Sequence, residues 1–239
     1  MNSKIREAIC LDRQPVAVIR TDTPPEGDLL SFPSGARGRC LVSLLAAASQ
    51  GHNAVIQANT TGCNGGKVGL GFEPMAPEPM AQILSTGGPM EGMYYKDCPE
   101  HARCYIESLP HIETKPYVVF RPLDQLMDGE VPACVVFLAN ADQISALVTL
   151  SNFDRPNQDN VKLLFGAGCS QAVLYALCDS AVGREQCTLG LTDPSARLHL
   201  DKSLLSFSIP YPRFLEMERK VEDSFLTKSL WLELRKRIK

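Results

Sequence analysis

Nine cysteines are the residues in this chain best able to do chemistry: Cys10, Cys40, Cys63, Cys98, Cys104, Cys134, Cys169, Cys178 and Cys187. The thiolate form is the nucleophile and the metal ligand, and soft sulfur ligands suit zinc and iron–sulfur clusters. Three of the nine sit at punctuation points. Cys40 opens the apolar run RGRCLVSLLAAASQG, Cys63 lies in the glycine-dense TTGCNGGKVGLGFEP, and Cys169 lies in VKLLFGAGCSQAVLYAL. Cys98 and Cys104 form a local pair with His101 in C-x₂-H-x₂-C. Positions i, i+3 and i+6 of a helix share roughly one side, so this spacing offers three ligands to zinc or iron. Zinc sites usually want four ligands in pairs, and no second pair is seen. Cys134 (PACVVFLA), Cys178 (SQAVLYALCDSA) and Cys187 (QCTLGL) have apolar neighbours and read as packing. Cys10 ends a short helix without a partner in sequence.

The glycine-dense stretch is expected to be a loop. Gly62, Gly65 and Gly66 would let backbone N–H groups approach a cofactor, and thiolates with N–H donors around them suit an iron–sulfur site. The plainer alternative is a tight turn carrying an incidental cysteine. A P-loop is rejected, because Val68 follows Lys67 and Thr61 stands where the first glycine is required. Cys169 follows the turn Gly166-Ala167-Gly168, with a helix expected from near Ser170 to 181. A helix N-terminus there would stabilise its thiolate. Gln171 spoils a G-x-G-x-x-G dinucleotide fingerprint, and an ordinary strand–turn–helix junction remains the alternative. Motifs of serine hydrolases, zinc proteases and protein kinases are absent. The four histidines, His52, His101, His111 and His199, have no motif around them. Asp193 and Arg197 read as a polar turn, with an ion pair between them as one option.

These residues need a scaffold. The 239 residues are 44% hydrophobic and 21% charged, enough apolar material for a buried core. A net charge of −3 gives no footprint for nucleic acid. No apolar run reaches a membrane span, and the polar start MNSKIREAICLDRQ is not a secretory signal. An odd, irregularly spaced set of cysteines argues against a disulfide framework and for a reducing, cytoplasmic setting.

Helices are expected at 3–10, 40–50, 78–86, 99–108, 141–151 and 170–181. Strands are expected at 15–20, 54–57, 117–120, 134–139, 161–165, 187–191 and 204–210. The mixture predicts an α/β or α+β fold, a mixed sheet flanked by helices, with a helical C-terminal segment. A single domain over 1–239 is expected, and 109–116 is the best candidate for a sub-domain junction. Trp231, Leu232, Leu234 and Ile238 would form one apolar face, docked on the body or on a second copy in a homo-oligomer.

PVAVIR, RGRCLVSLLAAASQG, TGCNGGKVGLGFEP, PLDQL, VVFLANADQISALV, FGAGCSQAV, GLTDPSARLHLDKSLLSFSIPYPRFLEM and SFLTKSLW together resemble a prokaryotic family, domain of unknown function 169. The resemblance implies that Cys40, Cys63 and Cys169 fall in the family's recurring segments. Some members look like iron–sulfur proteins of anaerobes.

The expectation is therefore one [4Fe–4S] cluster on Cys40, Cys63 and Cys169, with Gly62, Gly65, Gly66 and Gly168 lining it. Cys104 or Cys98 would complete the set, or one iron stays open for redox chemistry on a small molecule. An electron-transfer partner or a small molecule is expected, without nucleic acid or membrane. The alternatives are a non-redox binding module for an anionic metabolite, and a zinc protein using Cys98, His101 and Cys104.

Overall fold

The computed structural model describes residues 1–35 and 39–238. Ser3 opens α1 (Lys4–Ala8), its hydroxyl accepting a hydrogen bond from Arg6 N. β1 (Val16–Thr21) follows, then a long proline-containing loop, α2 (Val42–Ser49) and β2 (Ala54–Ile56). Gly51, at φ +103°, turns the chain out of α2 in a conformation that glycine adopts without strain. The middle of the chain carries α3 (Asn64–Gly69), α4 (Pro77–Leu84) and α5 (Pro99–Glu107).

Then come β3 (Tyr117–Pro122), β4 (Cys134–Ala139) and α6 (Ala141–Asn152). Asn140 and Gln143 cap α6 reciprocally, each side chain bonding the other's backbone. β5 (Val161–Lys162), a π turn (Ser170–Leu174) running into α7 (Tyr175–Ala181), β6 (Cys187–Gly190), α8 (Pro194–Arg197) and β7 (Leu205–Pro210) follow. α9 (Tyr211–Lys220) and α10 (Ser229–Leu234) end the fold.

All seven strands join one sheet in the order β2-β3-β1-β4-β7-β6-β5. Every pairing is antiparallel except β5 with β6, so the sheet is mixed and the fold is α+β. β1 and β2, which precede residues 109–116, both pair with β3, which follows them.

Strand alternation sorts the core into two layers. Val16, Val18, Phe120, Val136 and Leu138 meet Val42 and Leu45 of α2, and Val173 and Leu177 of the π turn and α7. Ala17, Val135, Phe137, Phe207 and Ile209 face the other way, onto α1, α6, α9 and α10. Each fully buried large apolar side chain contributes about 1.5–3 kcal/mol relative to exposure. Trp231 closes the second layer: its ring packs edge-on to Phe225, and its Nε1–H donates to Ala8 O at 2.9 Å. The C-terminal apolar face thus docks on the body through Trp231, Leu234 and Ile238, while Leu232 stays exposed.

Two expectations fail locally. The strand expected at 161–165 stops at Lys162. β5 is an edge strand with one short partner, and Leu163, Leu164 and Phe165 leave the sheet exposed. Gln171 Nε2 takes up Leu164 O at 2.8 Å instead. The glycine-dense stretch is not a loop over 64–69 but the helix α3.

Candidate functional site

Cys40, Cys63 and Cys169 come from three different junctions and line one cavity of about 250 Å³. Cys40 was expected in the first turns of a helix; it lies two residues before α2, its carbonyl accepting from Ser43 N and Oγ. Cys63 is the N-cap of α3, its sulfur accepting from Gly66 N at 3.3 Å. Cys169 sits in the first helical turn just before the π turn, fully enclosed. A π turn admits one extra residue per turn and is frequent at functional sites.

The glycines serve contact rather than positive φ. A Cβ on Gly69 would lie 2.4 Å from Cys169 Cβ, so only glycine lets α3 touch the helix that carries Cys169. Gly62 presses on Arg39, Gly66 on Leu41, and Gly168 on Ala196. Of the four glycines expected at a cofactor, Gly65 and Gly168 line the cavity; Gly62 and Gly66 are packing positions beside it.

Cys98 and Cys104 are not in this cavity. Cys98 is the N-cap of α5, outside the helix, so the one-face argument fails for it. Its neighbours are Asp97 and His101, whose ligand atoms lie with its sulfur within 4.8 Å, and His101 Nδ1 is 2.6 Å from Asp97 Oδ1. Cys104 faces a second, larger cavity. Cys134 and Cys187 are buried filler, as expected, but Cys178 is only half-buried and also lines the larger cavity. Cys10 receives Arg235 Nε at 2.7 Å.

A family model described as uncharacterised ArCR, domain of unknown function 169, matches residues 4–220. The chain belongs to that family. No curated protein and no solved structure matches it. All three cavity cysteines of this domain-of-unknown-function-169 chain lie inside the matched span.

The electrostatics of the site reverse one expectation. Cys169 was expected to be the low-pKa thiol. A hydrogen bond from Cys169 instead pulls the Cys40 thiol down to about 7, while that same bond and burial push Cys169 well above the ordinary value. Two thiols sharing one proton titrate as a pair, and the more accessible member keeps the negative charge. Burial raises Cys63, against the pull of the Gly66 N–H.

Sequence reasoning missed the rest of the lining. Asp193, read as part of a turn, is 7% exposed and gathers the second wall. It accepts from Gly168 N at 2.8 Å, Tyr95 OH at 2.9 Å and Ser195 N at 3.0 Å. Arg197 does not pair with it but donates to the carbonyls of Leu204 and Lys202. Met75, Met80 and Met93 with Tyr95, Tyr105 and Phe165 supply an apolar cover. Four of the seven methionines fall between residues 75 and 93, a signal visible in the sequence. Among the described residues no helix is long and apolar enough to cross a membrane.

Proposed function

We propose that this protein holds one [4Fe–4S] cluster through Cys40, Cys63 and Cys169, with the fourth iron open to a small molecule. The observation that carries the reading is the meeting of three thiols, from segments far apart in sequence, around one apolar-walled cavity. The donor set fits. A single zinc ion holds thiolates at about 2.3 Å, which places them about 3.8 Å apart. Among the described residues, only Asp97, Cys98 and His101 form a trio of ligand atoms all within 4.8 Å of one another. The three cavity sulfurs do not form such a trio, which favours a multinuclear cluster over one ion. Asp193 brings a carboxylate to the cavity wall, which disfavours an anionic metabolite there.

A bound cluster would supply one-electron transfer and, at its open iron, a coordination position. The protein's residues do the rest. Cys40 already carries much of its negative charge at neutral pH, and loading the site releases the proton that Cys169 shares with it. Gly66 N–H donates to the Cys63 sulfur, which lowers electron density on that ligand. Met75, Met80 and Phe165 give the cavity an apolar wall. Thiolate ligands of this kind persist in a reducing compartment, so the protein works in the cytoplasm with a redox partner or a small-molecule substrate.

Anaerobic purification with iron, acid-labile sulfide and zinc quantification tests the reading. About four irons and four sulfides per chain are expected. Cys40→Ser, Cys63→Ser and Cys169→Ser each lose the cluster, and Cys98→Ser and Cys104→Ser retain it. Stoichiometric zinc, or no iron uptake on anaerobic reconstitution, overturns it.

A further inference from the structure

A cavity of about 1040 Å³ lies beside the thiol cavity, and Tyr105 and Phe165 line both. Its charges are not balanced. Of the acidic groups in its lining, Asp179 is taken by Lys162 and by Arg184 at 3.6 Å, and Glu113 stands 4.0 Å from Lys115. Two cations remain. Arg20 reaches only the backbone carbonyl of Glu113, and its Nε, sealed from solvent, has no hydrogen-bond partner. Lys96, half-buried, has its Nζ 4.5 Å above the Phe165 ring and 5.9 Å from that of Tyr105. Neither pairs with a carboxylate among the described residues.

A cation half out of water with a buried, unmatched donor is costly unless a counter-charge arrives. Burial accordingly pulls Arg20 below the ordinary guanidinium value. The aromatic side of the cavity is held by several contacts. Phe165 meets Tyr105 edge-on at 4.9 Å, Tyr175 OH donates to Phe165 O at 3.0 Å, and Ala167 N donates to Tyr105 OH at 3.3 Å. Phe165 is nevertheless 46% exposed, so part of its ring faces the cavity beside the Lys96 ammonium. Ligand sites of this kind combine apolar and aromatic walls with a few placed polar groups.

We propose that this cavity binds an aromatic organic anion, its negative group met by Arg20 and Lys96 and its ring laid against Phe165 and Tyr105. The site is separate from the cysteine trio and stands whether or not a cluster is present. It also places a ring one side chain away from the thiol cavity.

Calorimetric titration of the full chain with 2-naphthoate, neutral 2-naphthamide and inorganic phosphate tests this. Naphthoate binds at least tenfold more tightly than naphthamide and than phosphate, and its affinity falls with added salt. Arg20→Gln and Lys96→Gln each remove most of the preference for naphthoate over naphthamide, and Phe165→Ala removes most of the preference for naphthoate over phosphate. Lys96 is half-buried and outside the core, so Lys96→Gln, with an unchanged melting temperature, reads binding without unfolding. Equal binding of acid and amide, a preference surviving both cation substitutions, phosphate binding as tightly as naphthoate, or no naphthoate binding overturns the assignment.

Discussion

Cys40 and Cys169 line the same cavity, and the influence of each thiol on the other pulls Cys40 down to about 7 and pushes Cys169 well above the ordinary value. Cys169 is the buried member and Cys40 the more accessible one. Negative charge is thereby concentrated on the more accessible sulfur of the two.

Alkylation reads this directly. In metal-free protein, Cys40 reacts with iodoacetamide at neutral pH, at a rate that climbs through pH 7 as its thiolate forms. Cys134, pushed up to about 12, and Cys187, at about 11, stay unmodified at pH 8. Cys169→Ala removes the partner thiol and moves the Cys40 profile to higher pH. Peptide mass spectrometry across a pH series checks both statements.

Gly69→Ala places a methyl 2.4 Å from Cys169 Cβ and 2.8 Å from its carbonyl carbon. Backbone must move to admit it. The expected cost is about 1–3 kcal/mol of stability, read from urea unfolding. Under the proposed function, iron binding falls out of proportion to the stability, because the shift separates Cys63 from Cys169.

Trp231→Ala makes the opposite case. The ring is 3% exposed in the layer across the sheet from the cysteines. Its removal costs about 3–5 kcal/mol and leaves the Cys40 alkylation profile unchanged at temperatures where the chain stays folded. Differential scanning calorimetry and the same mass spectrometry separate the two effects.

Arg213, 1% exposed, holds Asp154 at 2.5 Å and Glu216 at 2.9 Å. Hydrogen bonding to Arg213 keeps Asp154 below its ordinary carboxylate value of 3.8. A depressed folded-state value means that the ionised carboxylate stabilises the fold above the unfolded value, and this is lost as pH falls through the folded one. Asp154→Asn therefore lowers the urea midpoint at pH 7, and its difference from wild type shrinks as the pH drops past 3.8. A constant difference across that range would disprove the linkage.

Much of the scaffold was readable from local chemistry. CVVFLA alternates between two helix layers and became β4; the helix expected at 141–151 became α6. What local reading could not supply was contact. Glycines around Cys63 suggested conformational freedom, yet Gly69 is required by the body of Cys169, a hundred residues downstream. The C-x₂-H-x₂-C spacing promised one helix face, but Pro99 starts the helix and leaves Cys98 outside it, next to Asp97. The low-pKa thiol was misassigned because a helix terminus is visible in sequence and a neighbouring thiol is not. Phe165 was read as the end of a strand; only the short edge pairing of β5 reveals that it swings out between two cavities.

Ser208 Oγ, on β7, donates to Ala172 O in the π turn at 2.6 Å, tying the helix that bears Cys169 to the last strand of the sheet. A growing polypeptide cannot make that tie until residue 208 has left the ribosome. The helix that carries Cys169 therefore reaches its final anchorage only after β7 has been made, so the three-thiol cavity is completed late.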